Sequence, residues 1–262
     1  MTDDAEIEPY HLSELSWPKV EAAVSETATM LLPVGSTEQH GRHLPLGVDT
    51  QIPEAVAERV ASRTPALVAP PIHYGVSPHH TFKPGTFTVS TETFQHYVRD
   101  VCASAADWGV ENVLLLNGHY LAQDPELEVV VRRLRNEHDL QAFHVSLVAL
   151  FADAAEETRA SECSFHAAEF ETAIMLELFP ELVDMDRAET VEPPAESLPL
   201  TDYDALGDNE VGWALTAEDM DELTPAGNVG DPSVATAETG AKLVEAMVSK
   251  LTRLVEELEN ER

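Results

Sequence analysis

The sequence predicts an α/β fold, a three-layer α/β/α arrangement around a mostly parallel central sheet. Three observations carry that prediction. Short apolar runs alternate with segments of helical period, the pattern of a parallel sheet covered by helices. The runs are apolar without alternation, as strands buried on both faces are. Each leads toward residues rich in Gly, Asn, Pro, His or Ser, at the strand ends where such sheets bind ligands.

The first run, Ala28 to Val34 (ATMLLPV), stops at a Gly-Ser turn. Asp49 to Arg63 then places Ile52, Val56 and Val60 four apart, on one helical face. Ala66 to Tyr74 (ALVAPPIHY) reads as a second strand, broken by two prolines near its end. Thr91 to Trp108 carries a stripe of Phe94, Tyr97, Val98, Val101, Cys102 and Ala105. Asn112 to Leu116 (NVLLL) is a third strand, stopped by Asn-Gly. Asp124-Pro125 is a helix start, an N-cap acid with proline at the first helical position. Leu127, Val130, Val131 and Leu134 come after it. Ala142 to Phe151 (AFHVSLVALF) is a fourth strand. Phe170, Ile174 and Leu178 indicate a helix closed by Pro180, and Glu238 to Leu258 a last one. Residues 184–231 are acidic, rich in Pro, Gly and Asp, and without period. They read as an irregular excursion within one domain spanning 1–262, a length that buries a substantial core.

Composition excludes several function classes. The chain holds 48 acidic and 15 basic residues, a net charge of −33. Such a field repels phosphates and anionic membranes, so neither nucleic acid nor a membrane is expected as a partner. The acid is spread along the whole chain, as on halophilic surfaces, where concentrated salt screens the self-repulsion. No apolar stretch is long enough to span a membrane. The acidic N-terminal residues do not read as a secretory signal. Two cysteines, Cys102 and Cys163, make no disulfide framework, and a reduced cytoplasmic setting is expected. No nucleophile elbow, phosphate-binding loop, dinucleotide fingerprint or Cys-x-x-Cys pair is present.

The chemistry gathers at the strand ends. The first strand runs into GSTEQHGRHLPLGVDT, Gly35 to Thr50. Glu38 and His40 are two apart, so an extended backbone points both to one side. Asp49 comes where a helix opens. Singly these are a surface charge, a loop histidine and an N-cap. Together, carboxylate, imidazole and carboxylate suit Zn²⁺, Mn²⁺ or Fe²⁺. The third strand ends in NGHY, which sets His119 at the same sheet edge. In HAAEFET, His166 and Glu169 lie three apart and share a face if the segment is helical. The residues alone leave two readings, a metal ligand with a proton shuttle or a solvated pair. In the His73–Ser90 loop, Ser77 is placed to donate to a substrate. His79 and His80 carry no spacing signal and are left outside the metal site. Metal-assisted hydrolysis is the reaction class these residues fit best.

These motifs resemble the creatininase (creatinine amidohydrolase) family. GSTEQHGRHLPLGVDT, the YGVSPHH…PGT loop, LLLNGH and HAAEFET match in order and spacing from about Gly35 to Thr172. The resemblance implies a three-layer fold, two adjacent divalent metals (Zn with Mn or Fe), a homohexamer, and hydrolysis of a non-peptide C–N bond in a small cyclic amide or formamide. It implies that Glu38 holds one metal and His40 the other, that Asp49 bridges both, and that His119 completes the first site. A water activated between the metals attacks the amide carbon. His166 passes a proton to the leaving nitrogen, and Tyr120 and Ser77 contact the substrate. Two positions depart from the creatinine-cleaving pattern. Leu121 stands where a glutamate ligand is expected, with Glu169 as the substitute, and Glu162 stands about where a tryptophan closes over creatinine. A second reading is a deformylase acting on a formylamino-pyrimidine nucleotide, with Arg42 as the cation for its phosphate. A third is a non-catalytic binding protein that retains a metal.

Overall fold

The computed structural model describes residues 10–120, 122–193, 203–207 and 215–261. Strands β1 (Tyr10–His11), β2 (Thr29–Val34), β3 (Leu67–Val68), β4 (Asn112–Asn117) and β5 (Gln141–Ser146) form one sheet in the order β1-β3-β2-β4-β5. All its pairings are parallel. The helices are α1 (Trp17–Glu26), α2 (Val48–Ala61), α3 (Thr91–Ala106), α4 (Asp124–Glu137), α5 (Leu147–Thr158), α6 (Glu169–Leu178), α7 (Ala217–Leu223) and α8 (Ala237–Asn260). A second, two-stranded antiparallel sheet joins β6 (Ser164–His166) to β7 (Val229–Gly230).

Alternate residues of the central strands feed two separate cores. Leu31, Leu114 and Leu116 pack with α2, α5, α6 and α8. Met30, Leu32, Val34, Val113 and Leu115 pack on the other face with α3, α4 and Ala23 of α1. Strands buried on both faces read as unbroken apolar runs for this reason. Pro33 is tolerated in β2 because the β3 ladder stops at Val68. Pro33 O accepts from Ile72 N at 3.0 Å, so the missing N–H faces the side where the ladder has ended.

The β2–β4 register runs from Thr29 opposite Asn112 to Val34 opposite Asn117, so both strands end together. Gly35 and Gly118 come next, side by side. A Cβ at either would stand 2.2 or 2.0 Å from the Asp49 carbonyl oxygen. The first turn of α2 is therefore wedged against both strand ends, which only glycine allows.

Two predicted elements differ. The run 142–151 is not one strand: β5 ends at Ser146 and α5 begins at Leu147. Its buried residues Leu147, Val148, Phe151 and Ala155 repeat at helical spacing, and a short apolar run alone does not separate the two states. Of the run 66–74, Leu67–Val68 joins the ladder and Ile72 adds a single bridge to Val34. Helix α1 was not expected. It buries Ala23 alone, so it leaves little periodic signal. Among the described residues no helix is long and apolar enough to cross a membrane. Within the excursion 184–231, positions 194–202 and 208–214 lie outside the described residues.

Candidate metal centre

Four segments converge at the carboxyl end of the sheet. The loop after β2 supplies Glu38 and His40, and the first turn of α2 supplies Asp49. The turn after β4 supplies His119. β6 and the start of α6 supply His166 and Glu171. All six are buried. His40 Nε2 lies 3.0 Å from Asp49 Oδ1, and His119 Nδ1 lies 3.3 Å from Asp49 Oδ2. His119 Nε2 lies 3.4 Å from Glu38 Oε2, and Glu171 Oε1 lies 4.0 Å from His40 Nε2. Asp49 thus presents one oxygen to each of two imidazoles.

The hydrogen bonds settle which nitrogen faces which group. His40 Nδ1 lies 3.2 Å from the main-chain oxygen of Glu38, and His119 Nε2 lies 3.3 Å from that of Val76. A carbonyl only accepts, so these nitrogens carry the hydrogens. In the neutral rings, the lone pairs of His40 Nε2 and His119 Nδ1 then point at the Asp49 carboxylate. Lone pair against carboxylate is repulsive unless a proton or a cation stands between. Both oxygens of Glu38 and Oδ2 of Asp49 are buried without an aligned hydrogen-bond donor among the described residues. Buried polar atoms are otherwise almost always satisfied. Such a set of nitrogen and oxygen donors fits divalent cations, with each imidazole held by a carbonyl on its far side.

The electrostatics express the same need for positive charge. Burial alone would lower His40, but the Asp49 charge outweighs it and raises the ring to about 10. Burial is likewise overcome at His119, which Glu38 and Asp49 raise to about 9. Burial pushes the Glu38 carboxyl up, opposed by His119. At Asp49 burial is overruled by His40 and His119, which hold the carboxyl low. His166 and His80 are both held well below the ordinary histidine range, chiefly by burial.

The Glu169 expectation is corrected. His166 does not share a helix with Glu169: it ends β6, and α6 starts at Glu169. Between them Ala167 has φ 47°, the single positive-φ non-glycine among the described residues, a strained turn of the kind that clusters at functional sites. Glu169 is turned away from the centre and takes the N–H groups of Ala160 and Ser161 at 2.9 and 2.8 Å and Ser161 Oγ at 2.6 Å. Glu171 faces the centre instead. Its Oε2 accepts from Ala167 N at 2.5 Å, and the Tyr120 hydroxyl bonds to the same carboxylate. Leu121, at the position where a glutamate ligand is expected, lies outside the described residues.

Ser77 and Tyr120, expected to contact substrate, lie beside residues of the centre. Ser77 is buried and bonds to Ser36 Oγ at 2.5 Å, with His119 Nε2 at 3.3 Å. Tyr120 packs against the core and holds Glu171. Arg42 is exposed, and its guanidinium pairs with Glu189 at 2.7 Å, outside the buried centre. His80, which the sequence leaves outside the metal site, belongs to the cluster. It is buried, lies 3.3 Å from Glu38 Oε1 and stacks on His166 at 4.0 Å. Its cue was Pro78, which opens the 3₁₀ turn Pro78–His80 that carries it inward. Among the described residues, three groups have spacings that suit a metal ion: Glu38–His40–Asp49, His40–His166–Glu171 and Glu38–His80–His166.

A family model described as creatininase, creatinine amidohydrolase, matches residues 13–255. The chain belongs to the creatininase family. It is 30% identical to a creatinine amidohydrolase of Pseudomonas putida, over 94% of this chain and 96% of that protein. It is 31% identical to a 3-dehydro-scyllo-inosose hydrolase of Thermotoga maritima, over 95% and 83%. With a mycofactocin precursor peptide peptidase of Mycobacterium ulcerans it shares 33% identity, over 92% of each. The crystal structure of a creatinine amidohydrolase superposes with a TM-score of 0.78 at 28% identity, covering 96% of this chain and 98% of that one. A Zn–Zn form of a creatininase mutant gives 0.79 at 27%, with the same coverage. The three-layer fold is thus the creatininase fold. The chain is a hydrolase of that family, whose relatives include an amidohydrolase and a peptidase, and its buried carboxylates and histidines fit metal binding.

Proposed function

We propose that this creatininase-family hydrolase is a two-metal amidohydrolase acting on a non-peptide C–N bond in a small cyclic amide or formamide. One observation supports the metal count above the others. Asp49 offers its two oxygens to two imidazoles on opposite sides, His40 Nε2 at 3.0 Å and His119 Nδ1 at 3.3 Å. Glu38, Asp49 and His119 would hold one ion, and His40, Asp49 and Glu171 the other. Zinc, with manganese or iron as its neighbour, suits this donor set. Such ions polarise an amide carbonyl and make water acidic near neutral pH. The chain's own residues supply the rest. His166 lies 4.6 Å from the His40 ring, centroid to centroid, and is held uncharged by burial. It is therefore a base beside the centre, able to take a proton and return it to the leaving nitrogen. Tyr120 fixes Glu171, and Ser77 sits against His119. Arg42, the candidate cation for a phosphorylated pyrimidine substrate, is exposed and paired with Glu189, and no observation favours that narrower substrate.

The test joins metal analysis of the purified protein to a hydrolysis panel in concentrated salt. The panel contains creatinine, other cyclic amides, simple formamides and a short peptide. Two divalent ions per chain with turnover of a cyclic amide or formamide is the expected result. Fewer than two ions and no turnover would favour a binding protein. Cleavage of the peptide alone would move the substrate class.

A further inference from the structure

Gln39 stands between Glu38 and His40, yet its buried side chain has partners of its own. Its Oε1 accepts from Gly41 N at 3.1 Å, and its Nε2 donates to Gly227 O at 2.8 Å. These two partners fix the amide, because the flipped group would set N–H against N–H and oxygen against oxygen. One amide hydrogen remains. Two imidazole nitrogens are in reach, His80 Nδ1 at 2.9 Å and His166 Nε2 at 3.2 Å. The main chain of Gln39 decides between them. Its carbonyl oxygen lies 2.9 Å from His166 Nε2, and since it only accepts, that nitrogen carries a hydrogen. His166 Nε2 therefore has no lone pair for the amide. The remaining amide hydrogen goes to His80 Nδ1, which must present its lone pair.

We propose that Gln39 is a positioning residue that sets the tautomers of two histidines, making His80 an Nε2–H ring facing Glu38 and leaving the lone pair of neutral His166 on Nδ1. The consequence for His80 is specific. Its Nε2 lies 3.3 Å from Glu38 Oε1, and the residue belongs to a group whose spacing suits a metal ion. With a hydrogen on that nitrogen, His80 does not ligate through it. It offers an N–H dipole to a carboxylate ligand, as outer partners of metal sites do. The burial of Gln39, His80 and His166 leaves little water to satisfy the opposite tautomer. The role of Glu38 as a ligand rests on the two-metal reading, and the test keeps the two apart.

Protein labelled with ¹⁵N-histidine and loaded with cadmium-113 reports metal contact and tautomer in one set of spectra. The proposal expects cadmium–nitrogen coupling at His40 and His119 and none at His80. It expects His80 and His166 each to be protonated on Nε2, with His80 Nδ1 bare. Coupling at His80, or a proton on His80 Nδ1, overturns the proposal and leaves the metal centre standing. Absence of coupling at every histidine overturns the metal reading, while the His80 tautomer still decides the proposal. Gln39→Glu adds a second arm, since it accepts where the amide donates. The proton of His80 should move to Nδ1, and kcat should fall roughly 10- to 100-fold with metal content kept, the range seen when outer partners of metal ligands are lost. An unchanged His80 tautomer in that variant would overturn the role of Gln39. If the variant does not fold, the wild-type spectra decide.

Discussion

Glu169 and Glu171 stand two residues apart in the first turn of one helix, both buried, and their surroundings are opposite. Glu169 is enclosed by N–H and O–H donors from Ala160 and Ser161. Asp204 is of the same kind, with Arg159 on both oxygens and the N–H groups of Ser164 and Leu206. At the sheet edge, Glu38 and Asp49 face histidine nitrogens and leave oxygens without a donor. Glu171 sits between the two kinds: one oxygen is held by Ala167 N, the other looks toward His40. Burial and charge do not distinguish a scaffold carboxylate from a ligand. The groups facing the oxygens do: main-chain and hydroxyl donors in the scaffold, imidazole rings and other carboxylates at the centre.

The largest effect is expected at the carboxylate proposed to be shared. Asp49→Asn removes charge from both proposed sites, and turnover should fall on the order of 10⁴-fold or more, as when a catalytic unit is dismantled. Steady-state kinetics against wild type measures it, and a loss under tenfold would mean that Asp49 is not shared. His166→Ala should keep full metal content while turnover falls roughly 10²- to 10⁴-fold, the contribution of a positioned acid–base group. Retained turnover would remove its shuttle role.

The pH dependence has a definite sign. Without metal, His40 and His119 hold their protons up to about 10 and 9, against an ordinary 6.5. Metal must displace those protons, so affinity should climb with pH from neutrality upward, about tenfold per unit for each proton released. Calorimetry in two buffers of different ionisation enthalpy counts the protons, and no release would contradict the assignment of these rings. The metal-free fold runs the other way. Raised histidines stabilise it fully below 6.5 and lose that contribution as pH rises through 9 and 10.

Smaller effects should separate the scaffold group. Glu169→Gln should cost about 1–3 kcal/mol of stability through weakened buried hydrogen bonds, with turnover of the folded protein unchanged. Denaturant unfolding and kinetics together check it. Arg42→Ala removes an exposed ion pair, worth about 0–1 kcal/mol, and should leave metal content and kcat/KM for an uncharged amide alone.

The sheet-edge half of the centre was legible in the sequence. The apolar runs ending at Val34 and Asn117 mark buried parallel strands, and the loops leaving such strands share one edge of the sheet. Glu38, His40, Asp49 and His119 are accordingly brought together by the β2–β4 register. The other half was not legible. Whether Glu169 or Glu171 faces inward depends on where α6 begins. That start is set by a three-residue strand and by Ala167 in a left-handed conformation, neither of which leaves a periodic pattern. His80 was hidden for a similar reason, since a 3₁₀ turn of three residues decides which of two adjacent histidines is buried. The division of 142–151 into strand and helix was invisible because both states use the same apolar residues.

On the two-metal proposal a buried carboxylate that faces the imidazoles is a ligand and one enclosed by donors is scaffold, and metal counting in the paired variants tests this most directly. Elemental analysis of wild type, Glu169→Gln and Glu171→Gln, each purified identically and dialysed against zinc, gives the number of ions per chain. Two ions in wild type and in Glu169→Gln, with one or none in Glu171→Gln, is the predicted result. Two ions retained in Glu171→Gln, with loss in Glu169→Gln, would contradict it.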